Sequence, residues 1–406
     1  MSKLCKWNED LKKAMLNVMD EDVDTARRLA EFFEGKDDVY VHKNNDKYMI
    51  NTFFPEFPGD TWSRFVHGLS KVSEGERIPF QADVVVTSKC HCDCWHCFRA
   101  NYVDKSELSY EKLKEIYESL KIMGTSIVGI TGGEPMLRKD IIDIISMVPK
   151  EFEAQLFTTG VNIDNLTAEK LAKAGLKRCI ISLDHYREEE VCRLRNNKNA
   201  YRDAVTAIKE MVKQKIYVAV TICITEELMV AGELEKYMEF TKELGVDEIR
   251  VVATIPEGKL EGKEVVQLHY NSQKIIRNLK NQYRLRLDYP IISNFGEIES
   301  FEYLGCGAGA HYISVNSDGK VTPCVSVPLS FGNIHECSLE SIYDDMGKYF
   351  PISSCSCIGV ACDAIKKKKN IDISHPPADK NVSIEIINEY TSSARVAKLF
   401  RAIRRN

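Results

Sequence analysis

The strongest constraint lies between residues 82 and 254, where short apolar runs alternate six times with amphipathic helical segments. The runs are ADVVVTS (82–88), SIVGITG (126–132), AQLFTTG (154–160), RCIISLD (178–184), IYVAVTICIT (216–225) and EIRVVAT (248–254). Each reads as a strand buried on both faces. Helical spacing separates them: Leu113, Ile116, Leu120 and Met123 share one side of 108–123, and 139–149, 167–175, 200–214 and 232–244 follow. This rhythm predicts right-handed βα units on a parallel sheet. Six units fall short of a closed eight-stranded barrel, so the expected class is α/β, a partial (β/α)6 TIM-like barrel over 81–260. Polar, glycine-containing clusters end most strands (TSKC, TGGEP, TTG, SLDH). In such arrays chemistry gathers at those ends.

The flanks differ. Residues 1–80 read as an extension with helical spacing over 8–33, a hairpin of DVYVH and KYMINTF around KNND, and a helix over 61–71 presenting Trp62, Phe65, Val66 and Leu69. Residues 261–375 lose the βα rhythm and gain cysteines, HPPADK (375–380) reads as a linker, and 376–406 form a basic amphipathic tail. There Val396, Leu399, Phe400 and Ile403 fall on one face, with Arg395, Lys398, Arg401, Arg404 and Arg405 around them. Such a helix either lies on an anionic membrane face or packs on the protein's own body.

Composition excludes several classes. The net charge of −5 provides no global field for nucleic acid. No apolar run approaches the ~20 residues of a membrane span. MSKLCKWNEDLKKAML lacks the features of a secretory signal, so a cytoplasmic, reducing setting is expected. The 14 cysteines are then not a disulfide framework. Four lie between 90 and 97 and six between 306 and 362, which points to metal or iron–sulfur ligation. Cys5, Cys179, Cys192 and Cys223 are scattered and read as ordinary thiols, and Cys92 as a passive one.

Cys90, Cys94 and Cys97, spaced CxxxCxxC, follow directly on the first strand. A loop there can fold back and offer three thiolates to three corners of a [4Fe–4S] cube, leaving one iron open. A structural zinc site is the alternative, with Cys92, His91 or His96 as fourth ligand. The second strand ends in TGGEP (131–135), where Gly132 and Gly133 lack Cβ and let backbone approach a ligand closely.

Taken together, CxxxCxxC on the first βα loop and GGEP after the second strand resemble the radical S-adenosylmethionine (SAM) superfamily, over residues 82–255. The resemblance implies that Cys90, Cys94 and Cys97 hold a [4Fe–4S] cluster whose open iron chelates SAM. It implies that Gly132, Gly133 and Glu134 cradle the SAM amino group, that Ser182 meets the ribose, and that Arg195 meets the carboxylate. His96 and Phe98 would pack near adenine, as would the backbone of ATIPEGK (253–259). His185 stands where the family commonly has glycine. Asp184 and His185, at a strand end facing the expected lumen, are candidate acid–base partners, with a supporting structural role as the alternative.

The second cluster begins CGAGAHYISVNSDGKVTPC, where Asp318-Gly319 between alternating runs predicts a hairpin that brings Cys306 and Cys324 together. A zinc ribbon is one reading. The pattern followed by GNI also resembles the SPASM/twitch extension, which implies a small cysteine-rich C-terminal auxiliary-cluster domain. The family's seven cysteines are six here, ending CxCxxxxC, so one auxiliary [4Fe–4S] cluster is expected. Its ligands would be Cys306, Cys324 and two of Cys337, Cys355, Cys357 and Cys362. The implied activity is reductive SAM cleavage to a 5′-deoxyadenosyl radical and hydrogen abstraction from an unactivated carbon, fed by a one-electron reductant such as flavodoxin or ferredoxin. Family analogy favours a peptide or protein substrate. A lipid or small metabolite at a membrane is the alternative, and a non-enzymatic iron–sulfur or zinc module a further one.

Overall fold

The computed structural model describes residues 3–404 apart from 35, 37–38, 43–46, 103–105, 253, 264, 285, 355 and 391–395. The KNND turn, Ala253, Cys355, Arg395 and Arg405 therefore lie outside the described residues. Three short strands, β1 (Lys3–Cys5), β2 (Val39–His42) and β3 (Lys47–Met49), form an antiparallel sheet in the N-terminal extension. The single helix expected over 8–33 is two, Glu9–Met15 and Val23–Phe33, parted by a turn at Asp20–Asp22.

The six expected strands are all present: β4 (Gln81–Thr87), β5 (Ile127–Gly132), β6 (Glu153–Thr158), β7 (Arg178–Ser182), β8 (Tyr217–Cys223) and β9 (Glu248–Val252). They pair in parallel and in chain order. The array does not stop at 260. β10 (Ile291–Asn294) adds in parallel beyond β9, and β11 (Tyr312–Val315) in parallel beside β4. The predicted hairpin continues the sheet with β12 (Lys320–Thr322) and the two-residue β13 (Gly332–Asn333). Among the described residues β10 and β11 do not pair, so the barrel stays open.

Strand parity sets the two faces. Val84, Val128, Leu156, Ile181, Val220 and Ile249 pack under the helices in the main core. Gln155, Arg178, Tyr217 and Glu248 point inward, where the N-terminal extension closes the floor. Thr52 donates from Nα and Oγ1 to Glu248 (2.9 Å each), and its carbonyl accepts from Gln155 (2.7 Å) and Arg178 (3.0 Å). The Phe54 carbonyl accepts a second Arg178 donor at 2.6 Å. The lumen therefore opens at the carboxyl ends of the strands.

One flank expectation needs correction, and the structure decides between the two alternatives for the tail in favour of packing on the protein's own body. HPPADK is not a free linker: Ala378 bridges Leu329 and donates to the Pro328 carbonyl at 2.8 Å. Nor is the tail's apolar face available to a membrane. Leu399, Phe400 and Ile403 are buried in a second core with Leu11, Met15, Leu29, Phe33, Trp62 and Phe65. Among the described residues no helix is long and apolar enough to cross a membrane. Phe400→Ala should therefore lower stability in urea by about 3–5 kcal/mol. In flotation with anionic liposomes the wild-type chain should remain unbound.

Candidate metal and cofactor centre

The cysteine loop leaves β4 at Thr87 and is tied down at several points. From β5, Gly133 donates to the Thr87 carbonyl and Glu134 to that of Lys89, both at 2.8 Å. A Cβ on Gly132 would meet the Thr87 oxygen at 2.3 Å, and one on Gly133 the Lys89 oxygen at 2.3 Å. The two glycines thus admit the backbone of the cysteine loop itself, a role that the sequence reading assigned to a ligand. From the other side, Asp93 and Trp95 donate to the carbonyls of Arg195 (3.1 Å) and Leu194 (3.0 Å). After β9, Lys259 donates to the Cys97 carbonyl at 3.1 Å and its ammonium pairs with Asp93. Gly258, at φ 60°, seats there because a Cβ would lie 2.3 Å from that same carbonyl oxygen.

The loop gathers four sulfurs with unequal chemistry. Cys92 donates toward Cys90 and Cys94, holding the Cys90 thiol down at about 4 and the Cys94 thiol at about 7. The Arg195 guanidinium, 3.6 Å from the Cys94 sulfur, adds to the second shift. Cys92 itself is pushed up by the same contacts, and Cys97 by burial. The direction of these shifts favours the thiolate form at Cys90 and Cys94. This donor set fits an iron–sulfur cluster on Cys90, Cys94 and Cys97, and Cys90 is exposed toward the strand ends.

The other expected residues are placed as follows. The Glu134 carboxylate is fully buried and already accepts from Met136 (2.9 Å), Thr158 (2.7 Å) and Thr159 (backbone and hydroxyl, 2.6 Å each). It staples β5 to β6 and has no acceptor to spare for an ammonium group. Arg195 is likewise engaged: Nε and Nη2 reach one Asp184 oxygen at 2.7 and 2.6 Å, and both side chains are buried. Asp184 is therefore a positioning residue for Arg195 rather than a free acid–base group. His96 lies beside this pair, and burial holds its ring down at about 4. Donor atoms of His96, Asp184 and Cys223 fall within 4.8 Å of one another, but the guanidinium already neutralises the carboxylate. His185 is buried, accepts from the Arg187 backbone at 3.0 Å and stacks on Tyr186. Burial, then Arg187, lowers its pKa. Ser182 sits half-buried at the inward end of β7, and Phe98 on the turn that Gly258 covers.

Sequence reading missed Arg99. It is buried, lies over the Tyr102 ring and donates to Asn316 at 2.9 Å, joining the cysteine loop to the C-terminal hairpin. Ser88 adds a 2.7 Å bond to Ser317. Isolated polar residues distant in sequence give no periodic signal.

In the C-terminal region Gly309 donates to the Pro323 carbonyl at 2.9 Å, setting Cys306 beside Cys324. Cys306 also exchanges two backbone bonds with Ser354 (2.9 Å each), which draws in Cys357 three residues on. Cys306, Cys324 and Cys357 feel one another's charge, and burial raises all three, Cys324 to about 12 and Cys357 to about 11. Cys362 follows on the helix Ile358–Lys369 that Cys357 caps. A bound cation reverses such shifts. Cys337 stands apart. β13 runs toward the hairpin turn, where Ile334 donates to Gly319 at 2.9 Å, while Cys324 lies at the other end, roughly 15 Å away at about 3.3 Å per residue.

Comparison with known proteins agrees with this geometry. Residues 84–244 match the family model described as the Radical SAM superfamily, and 306–357 match SPASM, an iron–sulfur cluster-binding domain. The AdoMet-dependent heme synthase of Methanosarcina barkeri is 24% identical over 64% of this chain and 80% of its own. The sporulation killing factor maturation protein SkfB of Bacillus subtilis is 26% identical over 76% of this chain and 74% of its own. Streptococcus suis SuiB, solved with the precursor peptide SuiA, shares the fold at TM-score 0.56 and 18% identity, covering 70% of this chain and 68% of that one.

Because Ser88 and Lys89 backbone oxygens stand 2.9 and 2.3 Å from a Cβ at position 133, Gly133→Ala should displace the cysteine loop. After anaerobic reconstitution it should lose the iron of the first centre and keep that of the second, read by iron count and electron paramagnetic resonance.

Proposed function

Because the chain belongs to the radical SAM superfamily and carries a SPASM iron–sulfur cluster-binding domain, we propose that it abstracts hydrogen from an unactivated carbon of a peptide or protein. When bound, a reduced [4Fe–4S] cluster and SAM supply the 5′-deoxyadenosyl radical. The observation that carries the reading is the cysteine loop locked on the Gly132–Gly133 pair, with a guanidinium on the Cys94 sulfur.

The chain's own residues then have definite tasks. Cys90, Cys94 and Cys97 hold the first cluster at the open end of the lumen. Backbone carbonyls near Gly132 and Gly133 would receive the amino group of the bound cofactor, and Ser182 would meet its ribose. Asp184 orients Arg195, whose charge supports the Cys94 thiolate. Cys306, Cys324 and Cys357, with Cys362 or Cys355, ligate the auxiliary cluster. The floor made by Thr52 and Phe54 excludes solvent from below.

A peptide or protein substrate is supported by the match to SkfB, which extends over 76% of this chain against 64% for the heme synthase. The heme synthase keeps a small-metabolite substrate as the second reading. Electrons would come from an external donor of the flavodoxin or ferredoxin kind.

Reconstituted wild type should hold about eight irons per chain, and Cys90/Cys94/Cys97→Ala about four. Under dithionite the wild type should release 5′-deoxyadenosine and the triple variant none. About four irons falling to none would mean that the second site binds no cluster. Cys337→Ser should retain the wild-type iron content, whereas Cys357→Ser should lose the auxiliary share.

A further inference from the structure

We propose that Arg250 anchors an oxyanion of the substrate inside the barrel lumen, an inference that rests on the proposed radical chemistry at the strand ends. Arg250 lies on β9 between Ile249 and Val251, which pack outward in the main core, so its own side chain points inward. The pairing register sets it level with Thr221 and Ser182, the layer where the ribose is expected.

Its surroundings leave hydrogen-bond donors of its guanidinium open. The residue is 4% exposed, and its Nε and Nη1 have no hydrogen-bond partner among the described residues. The rings of Phe53, Phe157 and Phe295 surround it at 5.2, 5.3 and 5.1 Å. Those π faces favour a cation but accept none of its directed donors. The acids nearby are committed elsewhere: Glu248 to Thr52 and Tyr217, and Asp83 to Tyr312 at 2.6 Å. Glu299 feels the guanidinium and also lies near Cys306, Cys324 and Cys357. It makes no ion pair within 4.0 Å of Arg250 among the described residues.

A buried guanidinium with open donors costs free energy that a ligand can recover. Its planar fork matches a carboxylate or phosphate through two parallel bonds. For a peptide the oxyanion is an Asp or Glu side chain or the C-terminal carboxylate.

The test is calorimetric titration of anaerobically reconstituted full-length enzyme with N-acetyl-glutamate, its neutral isostere N-acetyl-glutamine, and inorganic phosphate. Wild type, Arg250→Gln and Arg250→Lys are compared. One of the anions should bind wild type roughly tenfold or more tightly than the amide. That preference should vanish in Arg250→Gln and return in part in Arg250→Lys. Selectivity for N-acetyl-glutamate assigns a carboxylate source, and selectivity for phosphate a phosphorylated one. Equal or absent binding of all three probes, or a preference that survives in Arg250→Gln, overturns the anchor. So does a lower melting temperature in Arg250→Gln that Arg250→Lys restores without selectivity, since that marks a structural cation. 5′-Deoxyadenosine release by wild type is followed in parallel. Its absence would defeat the radical reading, and the anchor would then stand or fall on binding alone.

Discussion

Everything at the open end of the barrel depends on two backbones approaching more closely than side chains permit. The end of β5 lies against the start of the cysteine loop, with the Gly133 and Glu134 amides bonded to the carbonyls of Thr87 and Lys89. Each bond is worth only about 1 kcal/mol net. Their effect is geometric. A loop whose first cysteine is exposed has little apolar surface with which to hold its shape, so hydrogen bonds must do so. Glu134 extends the lock to β6 through Thr158 and Thr159, and Gly258 closes it from β9 on the Cys97 carbonyl. Three strand ends thereby define one loop.

The second cysteine region shares that rigidity because it shares the sheet. β11 pairs in parallel with β4, whose carboxyl end carries the first cysteines. Arg99 and Ser88 bond across to the hairpin turn. Lys366, buried on the helix that Cys357 caps, pairs with Glu257 at 3.0 Å and Glu261 at 2.8 Å, on the same turn that covers Cys97. Removing one member of such a buried group leaves an uncompensated charge, so the two cysteine centres are held at a set separation.

How much of this was legible in the sequence follows from signal strength. The six barrel strands are largely buried runs bounded by polar turns, and Asp318-Gly319 marked its hairpin by turn chemistry. β10 and β11 are four residues each, too short for periodicity to separate from loop, and their parallel partners lie some forty or more residues away. The first triad stood out because its three cysteines are close in sequence. The floor contacts of Thr52 and Phe54, the Arg99 bridge and the inward Arg250 did not, because each is a single residue whose partner is set by topology. The tail's amphipathic face was visible, but a hydrophobic stripe does not state what covers it.

The closed floor carries a consequence for substrate access. The N-terminal extension engages its own backbone carbonyls with Arg178 and its Thr52 donors with Glu248, which closes the base of the lumen. The tail helix then buries Leu399 and Phe400 against the same extension, fixing the cap from outside. A radical intermediate must be shielded from water, and a lumen with one sealed end needs shielding only at the other. There the cysteine loop, the β9 turn and the C-terminal hairpin converge. On the proposed reading, substrate and electrons enter across that rim, and a bound substrate would complete the seal.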